Sequence, residues 1–450
     1  MAPASRPPAK SGEPPPVTSL LDHLAWNTAA GPWHEPASAL PEAPPAAHPV
    51  RLIAYYLPQF HAVPVNDAAW GRGFTEWTNV TKALPRLVGQ VQPRLPADLG
   101  FYDLSRPEVI AAQAALAKRA GIWGFCIHDY WFSGEKVLET PLRLILDHPE
   151  IDLRFCLNWA NENWTRRWDG ADAEVILGQK HAPGDAEAYI DSIAPALRDP
   201  RYIRVDGRPL LMLYRPGTLP DPAGTVARWR ARAREIGVGE LYVVMPQGFG
   251  EADPRPHGMD AAAGFPPHHS GWVVPAARLD RRRLRLLDPE SGGRAFGYDV
   301  MAAHAMANRP ADHRLLPGVC PSWDNEARRT GRGDVFLGAT PAKYGHWLRA
   351  AMRAATEAPP EERIVFLNAW NEWAEGAVLE PCRHYGHAWL AETRRSLDAL
   401  AADPKAGEGD PWPEDDRTPE PFRPVPSRRN YVANRAASAL RRLARGGRRR

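Results

Sequence analysis

The chain has 450 residues, of which 44% are hydrophobic and 24% are charged, so its composition is that of a soluble globular protein with a large core. A formal net charge of +3 is too small to indicate nucleic-acid binding by the whole chain. No apolar run reaches about 18 residues, so no transmembrane helix is predicted. The 17 tryptophans favour ring-shaped ligands, because an indole offers a flat apolar face with a polar edge.

Residues 1–49 are rich in proline and alanine, and we expect this extension to be largely disordered, with one short helix at Ser19–Asn27. The segment from Met1 to Val17 has no apolar core of the kind found in a secretory signal, so the expected location is cytoplasmic. The four cysteines are widely spaced and form no C-x-x-C pair. Three of them lie in apolar runs, so free buried thiols are predicted.

From Arg51 onward, short apolar runs alternate with helical or loop segments, which is typical of βα units. There are eight runs: Leu52–Leu57, Ile122–Ile127, Leu153–Leu157, Leu210–Tyr214, Leu241–Met245, Met259–Phe265, Leu315–Cys320 and Ile364–Leu367. They predict an α/β protein with a single (β/α)8 TIM-type barrel over residues 50–400. The alternative is an open doubly wound sheet, which favours a glycine-rich first turn. Leu57-Pro58-Gln59-Phe60-His61 contains no glycine.

The connections between the runs differ in length and character. A long connection, Ala62 to about Leu104, is predicted to be a functional loop without secondary structure. A helix is predicted from Pro107 to Ala120, with Ser105 as its N-cap and Gly121 as its stop.

Two segments of the chain are strongly basic. Between the sixth and seventh runs, Arg281–Arg285 holds four arginines, which we interpret as a solvated insertion rather than a specific anion site; a helix is predicted near Tyr298–Ala307. Residues 401–450 begin as a proline-rich acidic linker, and nine arginines without any acid follow from Ser427 to Arg450. Residues 431–445 can form a helix with one apolar face. That tail either contacts an anionic membrane surface or is a disordered solubilising segment.

Polar and aromatic side chains follow several of the runs. A barrel builds its active site from the loops that follow its strands, so we expect these side chains to meet. The predicted substrate-binding residues are Tyr55, Tyr56, His61, His128, Asp129, Tyr130, Trp131, Asn158, Trp159, Asn161, Glu162, Trp164, Asn371 and Trp373. The alternative for any single member is a structural role, because aromatic residues near strand ends often cap the barrel core.

Two glutamates follow the eighth run directly, and both are predicted to be catalytic. They are Glu372 and Glu375, within Asn371-Glu372-Trp373-Ala374-Glu375-Gly376. Glycosidic bonds are broken or made by two carboxyl groups, one protonated and one ionised. Two carboxyls close together, beside the apolar Trp370 and Trp373, raise the pKa of one of them. The alternative is a solvated turn with two ordinary surface glutamates.

Other catalytic motifs are absent from the sequence. It has no G-x-x-x-x-G-K-[ST] for phosphates, no H-E-x-x-H for zinc and no G-x-S-x-G for acyl transfer. No D-x-D pair of the kind that holds metal in many sugar-nucleotide transferases is present. The pair His268-His269 is interpreted as a solvated loop pair. No metal site and no cofactor are predicted.

Five segments, in this order, resemble the WbsX-like proteins, which are also described as the glycoside hydrolase family 99-like group. They are Tyr55-Tyr56-Leu57-Pro58-Gln59-Phe60-His61, Gly73-Phe74-Thr75-Glu76-Trp77, His128-Asp129-Tyr130-Trp131, Asn158-Trp159-Ala160-Asn161-Glu162-Asn163-Trp164 and Asn371-Glu372-Trp373-Ala374-Glu375-Gly376. The resemblance covers about residues 50–395 and implies a (β/α)8 barrel. In the hydrolase branch it implies retaining attack on α-mannoside-type bonds. A glutamate in the place of Glu372 activates the sugar 2-hydroxyl, and one in the place of Glu375 is the general acid.

The sequence departs from the hydrolase branch at Ala374, where that branch usually has histidine. The WbsX-like branch implies synthesis of O-antigen, capsule or another surface polysaccharide. The expected partner is a glycan or lipid-linked oligosaccharide at the inner face of the membrane, and no nucleic acid. Three alternatives stay open: a glycosyltransferase with an activated sugar donor, a non-catalytic glycan-binding barrel, and a metal-independent enzyme on a non-sugar substrate.

Overall fold

A barrel of eight parallel strands forms the centre of the computed structural model, which describes residues 19–166, 171–414 and 416–446. The strands are Arg51–Tyr56 (β1), Ile122–Phe132 (β2), Arg154–Trp159 (β3), Arg208–Leu213 (β4), Tyr242–Pro246 (β5), Ala261–Ala263 (β6), Leu315–Leu316 with Gly318–Val319 (β7) and Ile364–Leu367 (β8). β1 pairs in parallel with both β2 and β8. Each predicted run supplies one strand, so the predicted TIM-type barrel is confirmed.

The barrel closes at β7, which is interrupted by Pro317. Proline has no N–H to donate to a neighbouring strand, so β7 consists of two short pieces. The first piece pairs with β6, and Gly264 N donates to Leu316 O at 2.8 Å. The second pairs with β8, and Phe366 N donates to Pro317 O at 2.8 Å. A Cβ on Gly318 would lie 1.9 Å from Gly264 O, so this approach of β6 to β7 requires glycine.

Eleven α-helices are present in the described residues. They are Leu20–Thr28 (α1), Pro64–Trp70 (α2), Glu76–Lys82 (α3), Pro107–Ala120 (α4), Thr140–Asp147 (α5), Asp185–Arg198 (α6), Pro222–Glu235 (α7), Tyr298–Ala307 (α8), Pro341–Thr356 (α9), Ala388–Ala402 (α10) and Arg428–Gly446 (α11). Short strands outside the barrel are Glu135–Val137, Trp164–Arg166, Ala171–Leu177, Arg204–Val205, Arg294–Gly297, Asp334–Leu337, Asn371–Glu372 and Ala377–Val378. Helices α4 to α10 follow seven of the eight strands, whereas the connection from β5 to β6 contains only a 3-10 turn at Arg255–His257.

Helix α4 has the predicted bounds but a different N-cap. Gly121 has φ +83°, a left-handed conformation that ends the helix, as predicted. The N-cap is Arg106 rather than Ser105, and its side chain makes no capping hydrogen bond. Pro107 explains the shift, because proline favours the first helical position and holds the preceding residue in extended backbone.

The sequence had indicated that the connection after β1 lacks secondary structure. That prediction was wrong, because the connection contains α2 and α3. Helix α3 begins at Glu76, whose main-chain N donates to Gln59 O at 3.1 Å, just after β1. Its Trp77 donates from Nε1 to Tyr102 O at 2.8 Å, within a buried aromatic group. The connection is thereby folded over the carboxyl end of the barrel, which places Glu76 there.

The N-terminal extension is largely ordered within its described part, which corrects the expectation of disorder for residues 19–49. Helix α1 begins after a Ser19 capping box, so the predicted short helix is confirmed. Asn27 Nδ2 donates to the main-chain oxygens of Gln90 at 3.0 Å and Gln92 at 2.8 Å. These buried hydrogen bonds tie the extension to the connection after β1. Residues 1–18 lie outside the described residues.

The C-terminal extension returns to the same side of the molecule. Phe422 stacks on Trp26 of α1, with ring centroids 4.5 Å apart, and Trp412 packs against the main core. The basic segment that follows forms α11, so the predicted helix is present. Among the described helices, none is both long enough and apolar enough to cross a bilayer.

Candidate active site

The loop after β8 forms a hairpin that carries both predicted catalytic glutamates. Its two strands, Asn371–Glu372 and Ala377–Val378, pair in antiparallel orientation. The Asn371 side chain joins this hairpin to the end of β1: Oδ1 accepts from Leu57 N at 2.7 Å, and Nδ2 donates to Leu57 O at 3.0 Å. Asn371 therefore orients the hairpin, which explains its position without any contact to a ligand.

The buried side chain of Glu380 also holds this hairpin in place through hydrogen bonds. It accepts hydrogen bonds from Trp373 Nε1 at 2.7 Å, Tyr102 OH at 2.8 Å and Gln113 Nε2 at 2.7 Å. Burial raises the pKa of Glu380 to about 7, although these donors oppose the shift. Trp373 is directed into this network and does not line the cleft, so it holds the loop instead of offering a stacking face.

Arg328, in the loop after β7, brings three glutamates together. Its Nη2 lies 2.9 Å from Glu76 Oε2 and 3.0 Å from Glu372 Oε2, and its Nη1 lies 2.7 Å from Glu375 Oε1. Its Nε also donates to Glu76 Oε2 at 3.0 Å. The Glu76 side chain is fully buried, whereas that of Glu375 is 22% exposed. A single cation thus fixes the two predicted catalytic groups on one side of the cleft.

Burial and the neighbouring charges have opposing effects on the pKa values of this cluster. Burial raises the pKa of Glu372 to about 8; Arg328 opposes that shift, while Glu375 and Glu76 add to it. Burial also disfavours the charge of Arg328, but the three carboxylates outweigh it and raise the pKa of the guanidinium. Glu372 therefore binds a proton more readily than an ordinary glutamate, although it lies beside an arginine that stays charged.

The loop after β7 is held in place by both neighbouring connections. Asp324 N donates to Glu375 O at 2.6 Å, and Gly376 follows with φ +61°. Arg86, from the connection after β1, donates to Glu326 Oε1 at 2.7 Å. These contacts hold the part of the loop that precedes Arg328 against both neighbouring connections.

Aromatic rings form the opposite wall of the cleft. His128 and Tyr130 project inward from β2, and Tyr214 and Phe265 follow β4 and β6. Tyr130 OH accepts from Gln59 Nε2 at 3.0 Å, and its ring meets the edge of Trp164 at 4.9 Å. Burial, with a smaller effect of Arg328, lowers the pKa of His128 to about 4, so this ring is neutral. Rings facing carboxylates across a cleft suit a sugar, which has apolar faces and polar edges.

Six of the predicted site residues line the cleft together: His128, Tyr130, Glu162, Trp164, Glu372 and Glu375. Their neighbours on the same strands face the other way, because successive side chains of a strand alternate between its two faces. Trp131 packs on Tyr189 of α6 at 5.6 Å between ring centroids, and burial raises the pKa of Asp129 on that side. Tyr56 likewise donates to Gln113 of α4 at 2.8 Å.

The remaining predicted residues support the cleft from outside it. Tyr55 lies in the barrel interior against Phe265, at 4.9 Å, and Trp159 packs on Tyr189. Asn158 Nδ2 lies 3.2 Å from His128 Nδ1 and orients that ring. Asn161 Oδ1 accepts from Arg215 N at 2.8 Å and shapes the loop after β4. His61 is buried, and burial lowers its pKa.

Several residues of the cluster and cleft were not among the predicted site residues. They are Leu57, Gln59, Glu76, Ala160, Asn163, Thr165, Tyr214, Phe265, Arg328 and Asn368. Gln59 and Glu76 lie in segments that carry the family resemblance, which was an available signal. Arg328 lies several residues after the seventh run, and no local pattern distinguishes it from other arginines. His268 and His269 are half-buried rather than fully solvated, and the His268 ring stacks on Phe265 with ring centroids 4.5 Å apart.

Comparison with known proteins agrees with this architecture. A family model described as Glycosyltransferase WbsX matches residues 52–393, which include the hairpin after β8 and all of the barrel strands except Arg51. The chain belongs to the WbsX glycosyltransferase family. It is therefore a member of a family of carbohydrate-active enzymes, as the resemblance of its five segments implied.

Relatives of this WbsX-family chain include the uncharacterized protein WxcX of Xanthomonas campestris pv. campestris, strain B100. It is 47% identical over 394 residues, which are 87% of this chain and 53% of WxcX. The WxcX protein of strain ATCC 33913 is also 47% identical over 394 residues. The chain spans about half the length of these relatives.

Solved structures with similar folds are more distant in sequence. A glycoside hydrolase-like protein superposes with a TM-score of 0.51 at 14% identity, covering 80% of this chain and 98% of that one. A GH99 endo-alpha-mannosidase from Bacteroides thetaiotaomicron has a TM-score of 0.49 at 16% identity, covering 78% of this chain and 98% of that one. At this identity the first of these comparisons supports the fold alone.

Proposed function

We propose that the cleft breaks or forms a glycosidic bond of the α-mannoside type, with retention of configuration, during metabolism of a bacterial-type surface polysaccharide. The observation that carries the proposal is the pairing of Glu372 and Glu375 through Arg328, opposite a wall of aromatic rings. Two carboxyls at the carboxyl end of a barrel are the groups that glycosidic chemistry requires. The family resemblance supports the sugar and the pathway.

In the proposed reaction, Glu372 takes the proton of the sugar 2-hydroxyl, and that oxygen attacks the anomeric carbon. Glu375 gives a proton to the bridging oxygen as its bond to the anomeric carbon breaks. Water or a sugar hydroxyl then opens the three-membered ring, while Glu375 takes its proton and Glu372 returns one to the 2-oxygen. Two inversions at the anomeric carbon retain its configuration. Hydrolysis and transfer differ only in the acceptor.

The raised pKa of Glu372 predicts the pH dependence of this reaction. Burial raises the pKa of Glu372 to about 8, so the carboxyl is protonated at lower pH and must ionise before it can act as a base. We therefore expect kcat/KM to increase as the pH rises towards about 8, because a larger fraction of Glu372 is then ionised. Initial rates over a pH series, on a glycan without ionisable groups, measure this limb directly.

The opposite pH dependence of kcat/KM would reverse the roles of the two glutamates. If kcat/KM fell as the pH rose through this range, Glu372 would be the proton donor, and the base assignment would be wrong. Arg328→Gln supplies a control, because loss of the cation beside Glu372 moves its pKa upward and displaces the limb to higher pH.

The cleft charges favour a glycan beside the two glutamates. In the part of the cleft that the structure describes, Arg328 is the only arginine or lysine of the lining, and three carboxylates already share it. A pyrophosphate placed there would meet net negative charge, which disfavours its binding. We propose accordingly that the sugar portion of a glycan or lipid-linked oligosaccharide occupies this position, with any phosphate of the lipid carrier outside it.

A glycosyltransferase with an activated donor is the second candidate, and the description of the matching family favours it. Incubation with synthetic α-mannosides and with the surface glycan of the source organism, each with and without nucleotide sugars, distinguishes the two. Product that requires no nucleotide sugar supports the proposal. Product that appears only when a nucleotide sugar is added supports transfer from that donor. That result overturns the proposal that the cleft binds a glycan and no nucleotide sugar.

A further inference from the structure

Helix α11 is attached to the barrel domain by its polar face. Asn430 Nδ2 donates to Arg283 O at 3.0 Å. One turn later, Asn434 Nδ2 donates to Arg282 O and to Leu284 O, each at 2.9 Å. The two asparagines are four residues apart, so they lie on one face of the helix. That face binds the backbone of the insertion between β6 and β7.

On the opposite face of α11, Val432 and Ala436 point to solvent. Val432 is 66% exposed, and Ala436 on the same face is also exposed. A helix on a globular protein normally turns such a face inward. In the sequence, Leu440 and Leu443 continue this spacing at intervals of four and three residues. Val432 and Ala436 form an apolar stripe that is accessible to a partner outside the chain.

Arginines border this stripe from two different parts of the chain. Arg428, Arg429 and Arg435 are exposed on α11 itself. Arg282, from the insertion, is 67% exposed, and its guanidinium lies 5.4 Å from the ring centre of Tyr431. These like charges repel one another, and among the described residues only Asp280 is recorded in an ion pair with Arg282. Their assembly around an apolar stripe is thus an unfavourable arrangement for the isolated protein.

We propose that this surface, which comprises the outer face of α11 with Arg282, docks on an anionic lipid surface. Arginines attract anionic headgroups, while apolar side chains such as that of Val432 enter the boundary between headgroups and acyl chains. A nucleic acid complements the charge but gives no environment for an apolar stripe, so lipid is the better fit. The inference is independent of the reaction in the cleft.

Sedimentation of the full chain with vesicles tests the proposal. Binding is expected to vesicles of phosphatidylcholine mixed with phosphatidylglycerol, to weaken as salt is added, and to be absent with phosphatidylcholine alone. Val432→Asp puts a charge on the stripe and is expected to weaken binding at least about fivefold, as is Arg435→Gln. Both positions are exposed, so neither change disturbs the core.

The matched control is Val273→Asp, which changes another valine that is 57% exposed but lies outside α11. This variant should bind vesicles as the unchanged chain does. Absence of binding to anionic vesicles, equal binding to neutral ones, or a Val432→Asp variant that binds normally would each overturn the proposal. Circular dichroism of the three variants identifies any loss of folding. Activity on a soluble glycan should be the same in the unchanged chain and all three variants, which separates this surface from the cleft.

Discussion

Replacement of Glu375 by glutamine is expected to lower turnover about 10²–10⁴-fold, the range for loss of a general acid. The amide cannot donate a proton to a leaving oxygen. Its Oε1 can still accept from Arg328 Nη1, which lies 2.7 Å away in the unchanged chain, so the cleft keeps its shape. Glycan affinity, measured by calorimetry, should therefore change little while the rate under saturating glycan falls.

Glu361→Gln is the matched control for this substitution. Glu361 also pairs with an arginine, Arg51, at 2.9 Å, but at the opposite end of the barrel. Full turnover in that variant shows that the loss belongs to Glu375 and not to any broken glutamate–arginine pair. If Glu375→Gln turned over as well as the unchanged chain, the catalytic assignment would be wrong. Bound glycan without turnover in any chain would favour the non-catalytic glycan-binding barrel.

Arg328→Gln is expected to lower the free energy of unfolding by about 3–5 kcal/mol at neutral pH, because it leaves buried carboxylates without their cation. Glu76 is fully buried and Glu372 nearly so, which leaves little water to replace the guanidinium. Urea denaturation followed by tryptophan fluorescence measures the loss. Arg255→Gln is the control: Arg255 is 53% exposed, and loss of its pairs should cost at most about 1 kcal/mol.

The pH dependence of that loss tests its cause. Without Arg328, the pKa of Glu372 rises further in the folded chain, which then binds more protons than the unfolded chain. The unfolding free energy of the variant, relative to the unchanged chain, should therefore recover as the pH falls from about 8 to about 5. If Arg328→Gln lowered the unfolding free energy by less than about 1 kcal/mol, or by the same amount at both pH values, the charge cluster would not be the cause of the loss.

The barrel could be predicted because parallel strands covered on both faces are continuous apolar runs. Ile364–Leu367 is such a run, and all four side chains are buried in β8. The order of residues 19–49 could not be predicted from their composition. It depends on partners far along the chain, such as the Asn27 hydrogen bonds to Gln90 and the ring of Phe422 on Trp26.

The candidate site was predictable where strand geometry decides it. Alternation on β2 separates His128 and Tyr130, which line the cleft, from Asp129 and Trp131, and period-two reasoning from the sequence gives the same division. Arg328 could not be found in this way. Its place beside Glu372 arises from three loops that meet only in the folded barrel, and no spacing in the sequence encodes their contact.

The most direct measurement is an NMR record of the first product formed from an α-linked glycan by the unchanged chain and by Glu375→Gln. The account predicts that the unchanged chain releases or transfers a sugar whose anomeric configuration is that of the substrate, and that the variant forms almost none. A product of inverted configuration, or equal product from both chains, would contradict it.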